Sequence, residues 1–366
     1  MSQTHGAIPM QMIREMIAAG YIESADPTAI QPASIDLTLT DEAYRMRGSY
    51  LPRKGETMRD IIARGALYPH ALERPLEQNG IYLVRLKESL RLPPGISATA
   101  SNKSSSGRIN LRGRLLADGI PRFDDVPANY NGQLWIELIP KSFPIRLHPG
   151  DHINQLRFFH GDSRLHPFEL RLAYDRYGLL RHTDGSRIEP HVDVLNRGVT
   201  MTVDLTSQET IGWRAKTTAW GVLDTAKYDH DPLEFFEPVF KPKSDELVLH
   251  PEEFYILATK ERIVVPPTFA LEMAAYDSSK GEFRSHFAGF FDPGWGWREQ
   301  EAERGTIGVL EVEAYSHDFV LRDGQPICLM VYERLIAAPE QLYGTDLKSH
   351  YTAQQGPRLA KWFKTP

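Results

Sequence analysis

Residues 134–153 read "LWIELIPKSFPIRLHPGDHI". Trp, Ile and Leu around one Glu predict a strand over 134–139, and Pro, Gly and Asp then turn the chain. The stretch resembles "VLEVEAYSHDFVLRDGQPI" at 309–327, just as "RLPPGISATASNKSSSG" (91–107) resembles "IVVPPTFALEMAAYDSSKG" (263–281). Ser104 and Ser278, Glu137 and Glu311, and Gly150 and Gly324 each stand 174 positions apart. Three chemically distinct pairs at one offset imply two copies of one domain. Around them, short apolar segments such as "SIDLTL" and "IYLVRL" alternate with turn residues, the pattern of an all-β barrel or sandwich. One helix is readable before them: Met12, Ile13, Met16 and Ile17 form a stripe between Pro9 and Gly20. The expected organisation is a first β-domain over 1–160, a polar linker over 161–197, a second β-domain over 198–340 and a C-terminal tail over 341–366.

Composition narrows the function. The 366 residues are 41% hydrophobic and 25% charged, enough apolar content for a sizeable core. A net charge of −6 argues against a protein that coats nucleic acid, and no apolar run reaches membrane-spanning length. No export signal is visible, and a single cysteine, Cys328, forbids an internal disulfide, so a cytoplasmic location is expected. The same count excludes the His/Cys/Cys zinc site of nucleobase deaminases, and no zinc is expected.

Three features carry chemistry. "NKSSSGR" (102–108) packs hydroxyls between Lys103 and Arg108, which suits a solvated turn or a phosphate cradle. The second copy has Asp277 and Glu282 at the matching positions, charges that would repel phosphate. Strand alternation puts Glu137 on one face with Gln133 and Trp135; it is either a solvated carboxylate or, in a polar pocket, an acid–base group with a raised pKa. "FDDVPANYNG" (123–132), echoed by "FFDPGWG" (290–296), reads as a hairpin tip whose ring either stacks on a nucleobase or plugs the barrel. Trp295 and Trp297 read as core or interface filling.

These motifs occur in a telling order. "IQPASIDLTL" (30–39), "NKSSSGR", "FDDVPANYNG", "LWIEL" and "LHPGDHINQL", followed by "YGTDLKSHYTAQQGP" (343–357), resemble the dCTP deaminases of the dUTPase-like superfamily in their long tandem form. The resemblance implies two tandem dUTPase-like distorted jelly-roll barrels, with hydrolytic deamination of dCTP to dUTP and ammonia. It makes Glu137 the catalytic base, with Ser104 and Arg108 beside it. Lys103, Ser105, Asp125 and Tyr130 are then substrate-binding, as are Tyr343, His350 and Gln354 from a tail that closes over the nucleotide. His350 stands where shorter relatives carry Lys, leaving Lys348 or Arg358 as substitutes. Mg²⁺ is expected on the triphosphate and no metal on protein ligands alone. A homo-oligomer is expected, a pseudo-hexameric trimer, with dTTP as inhibitor. Two alternatives stay open. One is a bifunctional enzyme releasing dUMP and pyrophosphate, with Asp124 or Asp125 activating water. The other is a non-catalytic nucleotide-binding regulator.

Overall fold

A computed structural model describes residues 5–189, 192–193, 198–274, 283–284, 289–344, 347, 351 and 354–364, with only the backbone at 192–193 and 283–284. The chain forms two β-rich units. One comprises Ala7–Asp162, Lys216–Phe235 and Ala360–Pro366; the other comprises Met1–Gly6, Ser163–Ala215 and Phe236–Leu359.

In the first unit, helix α1 (Met10–Ala18) buries Met10, Ile13 and Met16, the stripe that the sequence marks. The strands are β1 (Ser34–Met46), β2 (Tyr82–Arg91), β3 (Ile96–Asn102), β4 (Leu111–Ala117), β5 (Asp125–Val126), β6 (Asn131–Pro140) and β7 (His152–His160). They lie side by side in the order β4-β6-β2-β1-β7-β3-β5. Alternation along β1 sends Ile35, Leu37 and Leu39 into the core. Trp135 of β6 is also enclosed, in a small cluster with Met46, Met58, Ile61, Leu83 and Leu116. Helix α2 (Met58–Gly65) covers that cluster. Its start is fixed by a reciprocal cap in which the Asp60 amide donates to Thr57 Oγ1 and the Thr57 amide donates to Asp60.

The second unit repeats the scheme with β8 (Gly198–Thr202), β9 (Thr210–Ala215), β10 (Phe236–Phe240), β11 (Phe254–Ile263), β12 (Phe269–Ala274), β13 (Thr306–Ala314) and β14 (Pro326–Arg334). Strand β13 pairs β11 and puts Glu311 opposite Ile256, as β6 pairs β2 with Glu137 opposite Leu83. Strand β14 lies between β8 and β12, as β7 lies between β1 and β3. Gly150 and Gly324 both turn with positive φ, +96° and +73°. A carboxylate clamp also recurs: Glu88 accepts from the Thr38 amide at 3.0 Å and Glu261 from the Thr202 amide at 2.9 Å. The fold is all-β, a tandem pair of dUTPase-like barrels.

Two expected boundaries need correction. Residues 161–197 are not a polar linker. They contain helix α4 (Pro167–Tyr177), whose Leu170, Ala173 and Tyr174 join the core of the second unit. The charged residues of that helix face outward and dominate its composition, which hides the apolar face. The 198–340 segment is likewise interrupted, because 216–235 belongs to the first unit. There Leu223–Asp224 extends a parallel pair with Ile145–Arg146, and Phe235 packs on Phe143 at 5.0 Å. Leu170→Ala tests the first correction. A coil linker would tolerate it, whereas loss of a fully buried side chain should cost about 2–5 kcal/mol, read from urea unfolding of the full chain.

Candidate active site

The serine turn is a single helical turn, α3 (Ser104–Gly107), set between β3 and β4. Its amides are spent locally: those of Ser106 and Gly107 donate to Lys103 O at 2.9 and 3.1 Å, and that of Arg108 to Ser104 O at 3.1 Å. Ser106 is fully buried and donates to Ile153 O at 3.0 Å, so the third serine anchors the turn to β7. Ser104 is half-buried, Ser105 and Arg108 are buried, and the four residues Lys103, Ser104, Ser105 and Arg108 share this turn. Lys103 forms an ion pair with Asp36 of β1, itself only 5% exposed. Asp36 sits opposite Gln155 of β7.

Strand β6 supplies the carboxylate. Glu137 is 5% exposed and accepts from Ser49 Oγ at 2.9 Å. The Tyr50 amide also donates to it, and Arg114 of β4 is its cross-strand neighbour. Burial raises its pKa above the ordinary carboxylate value, while Ser49, Arg114, Arg112 and the Tyr50 amide pull the other way. Of the two readings open to the sequence, the pocket carboxylate is the one observed. Gly113 links this strand pair to the serine turn. A Cβ there would lie 2.5 Å from Asn102 Oδ1, so the residue preceding Lys103 packs against β4 between Arg112 and Arg114.

The hairpin tip departs from expectation. Tyr130 is enclosed, its hydroxyl donating to Gln133 O at 2.7 Å and accepting from the Asp118 amide at 3.0 Å. It braces the tip and presents no face for stacking. Asp125 is half-buried, placed by pairing with Thr99 and lying 3.7 Å from Arg122. Asp124 adopts φ +60°, is ion-paired with Arg114 and accepts from the Leu115 amide at 2.7 Å. Burial pushes its pKa up to about 6 in spite of Arg114.

The tail is divided. Tyr343 stacks on Trp295 at 5.3 Å, and Gln354 donates to Ile307 O at 2.8 Å; both are part of the second unit and not of the Glu137 cluster. His350 and Lys348 lie outside the described residues, as do Asp277, Ser278 and Glu282. Residues 360–364 instead pack in the first unit. The His230 amide donates to Trp362 O at 3.1 Å, the Lys364 amide to His230 O at 3.0 Å, and Phe363 meets Phe235 at 5.7 Å. This places Lys361 over the rings of Tyr228 and Trp362. Burial lowers its pKa, and the nearby charge of Lys103 lowers it further, against the opposing carboxylates of Asp151 and Asp36.

Sequence reasoning missed Ser49, Arg114, Asp36 and Lys361. Asp36 and Arg114 carry a legible signal, a charge at an alternating position within an apolar strand. Ser49 and Lys361 carry none, since they reach the site only through tertiary packing.

The second unit keeps the strands and Glu311, but differs beside them. Where β7 has Asn154 and Gln155, opposite Leu37 and Asp36, β14 has Cys328 and Leu329 opposite Met201 and Thr200.

Tandem dUTPase-like barrels, one of which carries a desolvated carboxylate beside a basic serine turn, define a nucleotide-handling hydrolase class. Comparison with known proteins narrows it. Residues 4–162 match the 2'-deoxycytidine 5'-triphosphate deaminase (DCD) N-terminal domain, and residues 176–363 match the C-terminal domain of the same family. The crystal structure of 2'-deoxycytidine 5'-triphosphate deaminase from Agrobacterium tumefaciens superposes with TM-score 0.86 at 38% identity, covering 94% of this chain and all of that one. A "dCTP deaminase, dUMP-forming" from Kocuria rhizophila is 29% identical over 181 residues, 48% of this chain and 91% of its own. A "dCTP deaminase" from Natronomonas pharaonis is 28% identical over 131 residues, 35% of this chain and 63% of its own. The chain belongs to the dCTP deaminase family.

The Glu137 environment gives a signed pH prediction. As a general base Glu137 would act only when ionised, so turnover would be present above its pKa and lost as pH falls through it. The acid limb of kcat/KM should therefore lie above the ordinary carboxylate value. Ser49→Ala removes a donor that favours the ionised form, so the limb should move to higher pH; an unmoved limb would mean that Glu137 does not set it.

Proposed function

We propose that the chain hydrolyses dCTP to dUTP and ammonia with Glu137 as general base. The observation that carries this reading is a carboxylate almost wholly withdrawn from water, yet held by Ser49 and the Tyr50 amide and facing Arg114. A carboxylate with a raised pKa takes a proton from water more readily, and a pKa nearer the working pH lets it still pass that proton on. In this scheme Glu137 accepts a proton as water oxygen bonds to C4 of cytosine. It then returns the proton to N3, and the C4–N bond breaks as the departing amine takes the second water proton and leaves as ammonia.

The serine turn supports a triphosphate at the other end of the substrate. Lys103 and Arg108 supply charge, and Ser104 and Ser105 supply hydroxyls. Lys361 adds an ammonium in the same neighbourhood. Among the described residues no three His, Cys, Asp or Glu side chains converge. Mg²⁺ would enter on the phosphate oxygens, and Asp36, beside Lys103, would be a carboxylate able to hold its waters. The proposal includes a cytoplasmic homotrimer inhibited by dTTP, with the second unit lacking a competent site. Its Cys328 and Leu329 support that last point, since they cannot replace the hydrogen bonds of Asn154 and Gln155.

The bifunctional alternative gains from relatives named dUMP-forming in Kocuria rhizophila and Methanobrevibacter smithii. Asp124 speaks against it here, because Arg114 and the Leu115 amide already occupy that carboxylate.

Incubating the full chain with dCTP and Mg²⁺ while measuring ammonia, pyrophosphate, dUTP and dUMP separates these readings. Ammonia with accumulating dUTP is expected. Stoichiometric pyrophosphate and dUMP would establish the bifunctional enzyme, and bound but unchanged dCTP the regulator. Glu137→Gln should lower kcat by about 10²–10⁴-fold with dCTP binding retained. Lys361→Met should raise KM about tenfold with kcat little changed, as expected for loss of one charge-assisted contact. An unchanged KM would remove Lys361 from the phosphate site.

A further inference from the structure

The second unit contains a cleft of about 140 Å³ that neither the serine turn nor Glu137 uses. Its walls come from the 204–211 loop and strand, the end of β11, the start of β13 and the tail at 355–357. The walls depend on two glycines. Gly305 has φ +107°, and a Cβ there would lie 2.8 Å from the Cβ of Arg262, so its absence admits the Arg262 stem. Gly356 has φ +77°, and a Cβ there would fall 2.3 Å from Gln208 Oε1, so its absence lets the tail close against Gln208.

Most charged groups of the cleft are already committed. Asp204 accepts from the Thr206 and Ser207 amides at 3.2 and 3.0 Å. Lys260 is paired with Asp323 at 2.5 Å. Thr259 Oγ1 accepts from the Gly308 amide and donates to Glu261 O. Arg262 is the exception: its buried Nε has no hydrogen-bond partner, and no carboxylate pairs with its guanidinium among the described residues. A partly desolvated guanidinium with no acceptor is costly unless something else supplies one. Thr183 and Thr210 line the same space.

We propose that this cleft is a binding site for a phosphate group, held by Arg262 with Thr183 and Thr210. The cleft has room for a hydrated tetrahedral oxyanion. A guanidinium fork and hydroxyl donors match such an oxyanion, while Asp323 already neutralises Lys260. The site is independent of the deamination reading, since none of its residues belongs to the Glu137 cluster.

The test is calorimetric titration of the full chain with inorganic phosphate at constant ionic strength. It is performed in an Arg108→Ala background to remove the serine turn as a competing site. One phosphate per chain is expected, with affinity about tenfold weaker after Arg262→Ala and the melting temperature unchanged without phosphate. Thr210→Val should weaken binding severalfold, which keeps the test decisive if the Arg262 variant fails to fold. Repeating it with dUMP separates two sources of the group: tighter binding than phosphate marks a phosphomonoester, weaker binding marks the free oxyanion. Equal phosphate affinity with and without Arg262, or no binding at all, would overturn the site and leave the cleft filled by water.

Discussion

The chemistry proposed for the first unit depends on keeping Glu137 out of water without leaving it unpartnered. An ionised carboxylate in an apolar interior is prohibitively costly, and one fully paired to a guanidinium is too acidic to act as a base. Glu137 lies between these limits. Burial raises its proton affinity, while Ser49, the Tyr50 amide and the charges of Arg112 and Arg114 keep ionisation accessible. Arg114 is prevented from collapsing onto Glu137 because its Nε is ion-paired with Asp124. Asp124 is held in turn by the Leu115 amide and by a left-handed backbone.

The two units show how one strand scheme can keep or lose a site. The frame is the same in both: the same strand neighbours, the same turn glycines, the same glutamate clamp on a neighbouring strand's amide. What changes is the filling. Asp36, Asn154 and Gln155 in one unit correspond to Thr200, Cys328 and Leu329 in the other. Such swaps leave pairing intact, because backbone hydrogen bonds do not depend on the side chain, and they replace a carboxylate and two side-chain amides by a hydroxyl, a thiol and an alkyl group.

The first unit is completed by chain that is distant in sequence. Asp224 accepts from Arg146 at 3.2 Å and from His148 at 2.8 Å, and Thr225 donates to Asp151 at 2.6 Å. Phe235 joins Phe143 to Phe363, and His230 carries the last residues along the unit's surface. The placement of Lys361 near Lys103 follows from these contacts. Two ammonium groups and a guanidinium around a hydroxyl turn are mutually repulsive by themselves and favourable around a polyanion.

Read alone, the sequence determined what repeats and what is local. Alternation gave the strands, the 174-residue offset gave the duplication, and the serine turn kept its four binding candidates together because they fall within residues 103–108. It also picked out Glu137 as unusual, a charge inside an apolar strand, without deciding between solvent and pocket. Composition misled at 161–197, where the polar surface of helix α4 outweighs its three buried residues; at Tyr130 the sequence left stacking and plugging open, and the structure shows the ring enclosed. Tertiary structure decided the rest. Whether Glu137 is desolvated depends on a loop 88 positions away that supplies Ser49. Which end of the tail meets the first unit depends on Phe235 and His230. Alternation reports which residues share a face, but desolvation and electrostatic coupling depend on what covers that face, and the covering segments here come from far along the chain.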